Sequence, residues 1–475
     1  MLATSSAFKE NARRALGDPG LQKALVRSRP GFAAVRAAGA ASLPEFEDLR
    51  ERAKAIKNHM IANIDFYLEH YAAQVEARGG VVHWCRDAEE ARTAILNICR
   101  GVNARTVTKG KSMISEEIGL NDFLETQGIT PVETDLGEYI LQLRKEPPSH
   151  IIGPAFHLNQ EDWESTFRAA HTHLPADRAF PEKRDIQAEA RAVLREKFLA
   201  ADVGITGANF LIAETGSSVI VTNEGNGDLT QTLPRVHIAL ASIEKIVPTV
   251  EDTLSLLRVL ARSATGQEFS VYTTFSTGGR REGDPDGPEQ YHVILLDNGR
   301  SGMVGSEFQE MLRCIRCSAC MNHCPVYLSV GGHAYGSMYV GPMGSVLTPA
   351  LFGLETAGLL PNASTFCGKC ESVCPVKIPL TGMMRHWRER EFERHLTPAT
   401  MRSNIRLWGY FARRPALYRA ATKAVAAALS VAGRKRGSFS KLPFAGAWTS
   451  ARDMPAPEGE TFFAAYARQK RGGRQ

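Results

Sequence analysis

Apolar positions recur at helical spacing through the first part of the chain. Leu43-Pro-Glu-Phe-Glu-Asp-Leu-Arg-Glu-Arg-Ala-Lys-Ala-Ile-Lys is rich in helix formers, and Ile61 to Val75 continues the period. Gly79-Gly80 then stops it, so residues 1–80 read as a helical segment. From Val81 the pattern changes. Short apolar runs at Val81–Trp84, Arg105–Thr108, His150–Ile152 and Phe210–Ala213 alternate with helical stretches at Ala88–Val102, Ile114–Gly128 and Ile186–Ala200. Such alternation predicts an α/β domain with a mainly parallel sheet over 81–303. Ser218–Thr222 followed by Asn223-Glu-Gly-Asn-Gly227 reads as a strand entering a tight turn, half of a hairpin. Ser276–Gln290 is a long polar loop, and Tyr291–Leu296 supplies a last strand. Residues 304–385 form a cysteine-bearing module, and 386–475 a basic, partly helical C-terminal region.

Composition adds little beyond class. The chain has 475 residues, 43% hydrophobic and 23% charged, as an ordinary globular protein does. The net charge of +6 is modest, and much of the excess lies in Arg434-Lys-Arg436 and in Arg468, Lys470, Arg471 and Arg474. A solvated basic tail is the plain reading, so no nucleic-acid partner is expected. No apolar h-region follows Met1, and no apolar run reaches the ~18 residues of a transmembrane segment; Ala424–Gly433 reads as a packed helix. The expected compartment is the cytoplasm, where clustered cysteines point to metal rather than disulfides.

Those cysteines carry the strongest chemistry. Cys314-Ile-Arg-Cys317-Ser-Ala-Cys320-Met-Asn-His-Cys324-Pro325 matches the bacterial ferredoxin spacing C-x2-C-x2-C-x3-C-P. Cys367-Gly-Lys-Cys370-Glu-Ser-Val-Cys374-Pro375 repeats its last three cysteines at an offset of fifty, which carries Cys314 onto Ser364. Cross-ligation then assigns Cys314, Cys317, Cys320 and Cys374 to a first cluster, and Cys324, Cys367 and Cys370 to a second. The second has three thiolates. Ser364, water, a substrate or a partner can supply its fourth ligand, or it can be a three-iron form. A pair of zinc sites is the rival reading, since zinc ribbons also use C-x2-C pairs. Arg316 and Lys369 lie beside the sulfurs, and His323 reads as a neighbour rather than a ligand. The remaining thiols, Cys85 and Cys99, read as buried and free.

The α/β region is vaguer. Gly110-Lys111-Ser112 is no phosphate loop, because position 105 is Arg. Lys109 and Lys111 still fall near a helix start, a place that attracts anions. Gly204-Ile-Thr-Gly207-Ala-Asn209, Glu214-Thr-Gly216 and Asn223-Glu224-Gly225 put small residues where backbone turns or approaches closely. Lined up at strand ends they make a polar cleft, with Glu214 and Glu224 as acid–base candidates. No G-x-G-x-x-G fingerprint supports nicotinamide or flavin chemistry.

Several stretches together resemble the lactate utilization protein B family, bacterial iron–sulfur proteins of L-lactate oxidation. They are Lys109–Asn121, Glu133–Leu143, Pro148–His157, Glu214-Thr-Gly-Ser217 and the two cysteine runs, including Cys374-Pro-Val-Lys-Ile-Pro379. The resemblance implies an N-terminal LUD-type α/β domain of the sugar-isomerase and CoA-transferase type. A helical two-[4Fe-4S] ferredoxin module and a helical tail follow. It implies an electron-transfer subunit of an L-lactate oxidation system. Its partners would be an A-type iron–sulfur protein and a C-type LUD protein. It implies the same seven cysteine ligands. Two rival functions remain: a catalytic subunit binding a 2-hydroxy acid at an open iron, and a redox-sensing regulator.

Overall fold

Ten strands lie between residues 81 and 296 among those described: β1 (Val81–Cys85), β2 (Thr106–Gly110), β3 (Thr130–Glu133), β4 (Val203–Gly207), β5 (Phe210–Ile212), β6 (Ser217–Thr222), β7 (Val236–Ser242), β8 (Ile246–Val247), β9 (Tyr272–Ser276) and β10 (Gln290–Leu296). The computed structural model describes residues 4–110, 112–442, 445–449 and 452–472. Six strands make one all-parallel sheet in the order β1-β10-β7-β4-β2-β3. Parallel strands need helical crossovers that cover both faces, and β7 is accordingly buried at every position. The other four make a small sheet in the order β8-β5-β6-β9, with β5 and β6 antiparallel. The expected hairpin at Ser218 therefore pairs backward, with β5. The segment after it, Asn223–Gly225, leads instead into the helix Asn226–Thr232.

Local chemistry explains the crossovers. Asp87 accepts the Glu89 and Glu90 amides at 3.0 Å and starts the helix Ala88–Gly101. Ala91, Ile95, Ile98 and Cys99 fall on one face of it and pack into a core with Val107, Ile205, Ile238 and Ile294. Two expected elements differ. The helix expected over 114–128 is broken into Met113–Glu117 and Leu120–Thr126, because Gly119 adopts φ +62°. His150–Ile152 is irregular rather than a strand. Prolines 147, 148 and 154 flank it, the Ser149 amide donates to Pro154 O at 3.0 Å, and His150 Nδ1 accepts the Ile152 and Gly153 amides at 3.1 Å. Gly204 meets the expectation of close approach: a Cβ there would lie 1.7 Å from Thr230 O.

Residues up to Arg390 form one compact unit. The helices Pro19–Ala41, Phe46–Ala62 and Ile64–Glu76 belong to it. Phe46, Ala53, Met60 and Tyr71 join the small sheet and the cysteine module in one continuous core. No strand occurs between 297 and 437 among the described residues; the cysteine loops are carried on short helices and on Gly341–Phe352 and Leu380–Glu393. The second unit, from Glu391 onward, contains the helices Ala399–Ala412, Pro415–Gly433 and Phe462–Gly472. In Pro415–Gly433 only Gly433 is buried, so this Ala-rich helix presents most of its length rather than packing it away. Pro443 and Arg474 lie outside the described residues. No described helix is long and apolar enough to cross a membrane.

Candidate metal centre and the cavity beside it

The duplication seen in the cysteine spacing is also a duplication of backbone. Arg316 and Ser318 adopt positive φ of 59° and 63°, and their counterparts fifty residues on, Phe366 and Gly368, adopt 55° and 74°. The short helices Ala319–Asn322 and Lys369–Ser372 stand at the same offset. Each is closed by a matching bond, Met321 N to Ser318 O at 3.0 Å and Glu371 N to Gly368 O at 3.1 Å. Left-handed residues bracketing Cys317 and Cys367 turn successive amides toward one side, the concave arrangement that receives anions. Three of the four are not glycine, and each costs on the order of 1 kcal/mol in conformational strain.

The structure sorts the seven cysteines into two sets. Cys314, Cys317, Cys320 and Cys374 line one narrow cavity with Ile315, Met321, Met343 and Val376. Cys324, Cys367 and Cys370 form the other set, each close enough to act electrostatically on another. The sets are neighbours, since Cys320 also feels Cys370. Burial dominates the thiols. It pushes Cys370 up to about 12, Cys374 up to about 11, and Cys317, Cys320 and Cys324 upward as well. Cys367 is exposed, and the Lys369 amide and the Thr365 hydroxyl lower it. A thiolate in the buried set needs cationic or amide partners.

Those partners come from far away in the chain. Arg36 donates to Val373 O at 2.8 Å, and Arg50 to Cys374 O at 2.7 Å and Ser372 O at 2.9 Å. Both act on the first set electrostatically. The Ile378 amide approaches Cys374 Sγ at 3.4 Å. The Tyr335 hydroxyl lies beside Cys324, and Arg36 Nε, Ser318 Oγ and Asn322 Nδ2 are buried without a protein hydrogen-bond partner. Buried polar atoms are rarely left so, and here they crowd around the cysteines, as donors to an inorganic sulfide body would. Ser364 is otherwise engaged. Its Oγ accepts the Phe366 amide at 3.1 Å in the turn leading to Cys367.

A second cavity of about 170 Å³ lies at the carboxyl ends of the parallel strands. Ser112 follows β2, Gly207 ends β4 with Ala208 and Asn209 just after it, Leu240 is on β7 and Lys245 comes just after that strand. β2 and β4 are neighbours whose onward connections leave in opposite directions, to β3 and to β7, so the cavity sits at a topological switch point. Arg316 and Ile151 border both this cavity and the four-cysteine one. Arg316 belongs to a buried ionic network. Its Nη2 meets Glu244 at 3.1 Å, Glu244 lies 2.9 Å from Arg300, and Arg300 binds Glu117 at 2.7 and 2.9 Å. Tyr339 donates to the same Glu117 carboxylate.

Residues 68–296 match the LUD domain, and residues 310–378 match the 4Fe-4S dicluster domain. Lactate utilization protein B of Lysinibacillus sphaericus (strain C3-41) is 42% identical over 97% of each chain. The chain belongs to the lactate utilization protein B family. Lactate utilization protein B of Bacillus subtilis (strain 168) is 41% identical, over 96% of this chain and 95% of its own. The uncharacterized electron transport protein YkgF of Escherichia coli (strain K12) is also 41% identical, over 97% and 96%.

The remaining sequence candidates fall as follows. Lys109 is not an anion-docking residue. It is 1% exposed and held by Glu133 at 2.7 Å, Asn121 at 2.6 Å and Glu116 at 3.5 Å. Burial works against its charge, but Glu133 and Glu116 outweigh burial and raise its pKa. Lys111 lies outside the described residues. Asn209, Thr222 and Asn223 reach the cavity, but Glu214 and Glu224 do not line it. The Glu214 carboxylate accepts the Val250 amide at 3.0 Å, and Glu224 is exposed. Sequence reasoning missed Arg36, Arg50, Lys245 and Tyr335, whose places depend on packing. It also missed the role of Pro148–His157. That stretch seats the cysteine module, with Tyr327 OH donating to Ser149 O at 2.8 Å and His150 paired to Asn322 at 2.8 Å.

Proposed function

We propose that the chain is the iron–sulfur electron-transfer subunit of a multi-subunit L-lactate oxidation system in the cytoplasm. Cys314, Cys317, Cys320 and Cys374 would hold one [4Fe-4S] cluster, and Cys324, Cys367 and Cys370 a second. A cluster bound in each set supplies one-electron chemistry that no side chain here offers as readily. The observation that carries the reading is the sorting of seven cysteines into two adjacent sets, each drawing on both halves of the duplicated loop. The names of the relatives, lactate utilization and electron transport, agree with it.

The chain's own residues do the rest. The apolar wall of Met321, Met343, Val376 and Leu380 excludes water from the first set. Arg36, Arg50 and Arg316 offset the negative charge of four thiolates. The exposed Cys367 brings the second set to the surface, where an A-type iron–sulfur partner or a C-type LUD partner would exchange electrons.

The test is metal counting and electron paramagnetic resonance on protein purified anaerobically with iron supplied. We expect about eight irons per chain and two interacting paramagnets on reduction. Cys317→Ala should remove one of them, and Ser364→Cys should strengthen the second site or leave it unchanged. Protein that takes up only zinc under those conditions would overturn the reading. The partners should co-purify with the iron-loaded chain, and separate elution of all three would remove the assembly from the proposal.

A further inference from the structure

The cavity at the switch point has no part in holding clusters, yet it is built like a ligand site. Its volume, about 170 Å³, is far above the ~10–15 Å³ of probe space that one water needs. Most polar groups around it are already committed. Ser112 Oγ caps a helix by accepting the Ser115 amide at 3.2 Å, Asn209 Oδ1 accepts the Val221 amide at 2.9 Å, and the Thr222 hydroxyl donates to Glu224 O at 2.7 Å. Two cations are not spent in this way. Lys245 is 7% exposed and lines the cavity. Arg316 gives only one terminal nitrogen to Glu244, and its buried Nη1 has no protein partner.

The remaining lining selects among anions. Asp135 and Glu138 also border the cavity, so two carboxylates stand against two cations, and a multiply charged ligand such as phosphate is disfavoured. Ile151, Ile152, Val221, Leu240, Leu260 and Ala261 form apolar walls suited to a short carbon body. An arginine fork and a lysine match the single carboxylate of such a molecule. We infer that the cavity binds a small aliphatic monocarboxylate, held by Lys245 and Arg316.

The location gives the ligand a consequence. Both cations act electrostatically on Cys314. An anion beside them offsets positive charge that otherwise favours the more negative, reduced state of the first set. Binding should therefore lower the potential of that set and leave the second nearly unchanged. The inference goes beyond the relay reading, and its binding arm needs no electron flow, so the two can fail separately.

The test uses the full, iron-loaded chain under anaerobic conditions. Equilibrium dialysis with labelled L-lactate, pyruvate and inorganic phosphate reads binding directly. Saturable one-site binding of lactate or pyruvate is expected, weakened about tenfold or more by Lys245→Met. Ala208→Leu, which keeps both cations and fills space, should do the same with unchanged iron content. A redox titration should show a lower first potential with ligand in the wild type and no change in either variant. No saturable carboxylate binding up to about 10 mM, tighter binding of phosphate, or binding untouched by both variants would overturn the assignment.

Discussion

Replacing Arg300 with methionine should destabilise the protein by about 3–5 kcal/mol. The figure follows from what the guanidinium holds. Arg300 is 0% exposed, and so is the side chain of Glu117, which it binds twice at 2.7 and 2.9 Å. Its Nε lies 2.9 Å from Glu244, close enough for an ion pair although not aligned as a hydrogen bond. Without Arg300, Glu244 keeps Arg316, but Glu117 keeps only the neutral donors Tyr339 and Asn298. One buried carboxylate is then uncompensated, which is the case that costs most. The pH dependence has a definite sign. Burial works to raise the Glu117 carboxyl, but Arg300 outweighs it and holds the group below the ordinary range. That contribution is present above the unfolded carboxyl pKa and lost as pH falls through the folded one. In the variant Glu117 protonates more readily, so its deficit should shrink from pH 7.5 toward pH 5. Urea unfolding of the iron-loaded protein, followed by circular dichroism, measures both effects. Arg300→Met combined with Glu117→Met should cost less than the sum of the two single changes, because neither charge is left alone. A single-variant loss under about 1 kcal/mol, or full additivity in the pair, would refute the reasoning.

Three further outcomes follow from particular side chains. Tyr335→Phe removes a buried hydroxyl that lies beside Cys324. It should leave the fold intact and change the paramagnetic signal of the second set only, and an unchanged spectrum would show that the hydroxyl serves neither cluster. Gly204→Ala places a methyl about 1.7 Å from Thr230 O and should lower stability by several kcal/mol or prevent folding; a normal melting curve contradicts the close approach. Burial pulls His237 down to about 3 and His150 to about 4, so below pH ~6.5 only the unfolded chain takes up these protons. Stability should fall by about 3 kcal/mol per histidine between pH 6.5 and 4, and His237→Gln, which can still meet Thr206, should flatten that slope in urea titrations.

Much of the fold is legible because strand and helix periods are local. The apolar run at Tyr291–Leu296 and the capped, periodic helix after Asp87 need no tertiary information. His150–Ile152 reads falsely as a strand because its apolar pair packs against the cysteine module rather than into a ladder. The cysteine sets are legible for a different reason: their spacing recurs in a repeat that matches the ferredoxin pattern. The charges that accompany them are not. Arg36 and Arg50 look like ordinary helix-surface residues, and only the packing of the helices Pro19–Ala41 and Phe46–Ala62 carries them to Val373 and Cys374. Glu214 and Glu224 drew notice through their glycine-rich surroundings, whereas Lys245 stands in Ile243-Glu-Lys-Ile246, a run with nothing unusual in it.

The grouping of Cys374 with Cys314, Cys317 and Cys320 bears on how the protein is made. A ribosome releases the first three long before the fourth, and it releases Cys324 before its companions Cys367 and Cys370. Under the proposed ligation, neither site is whole until the second loop has emerged and folded back on the first. Cofactor delivery to a nascent chain would therefore meet two unfinished sites at once, and truncation anywhere between Cys324 and Cys367 should leave both without metal.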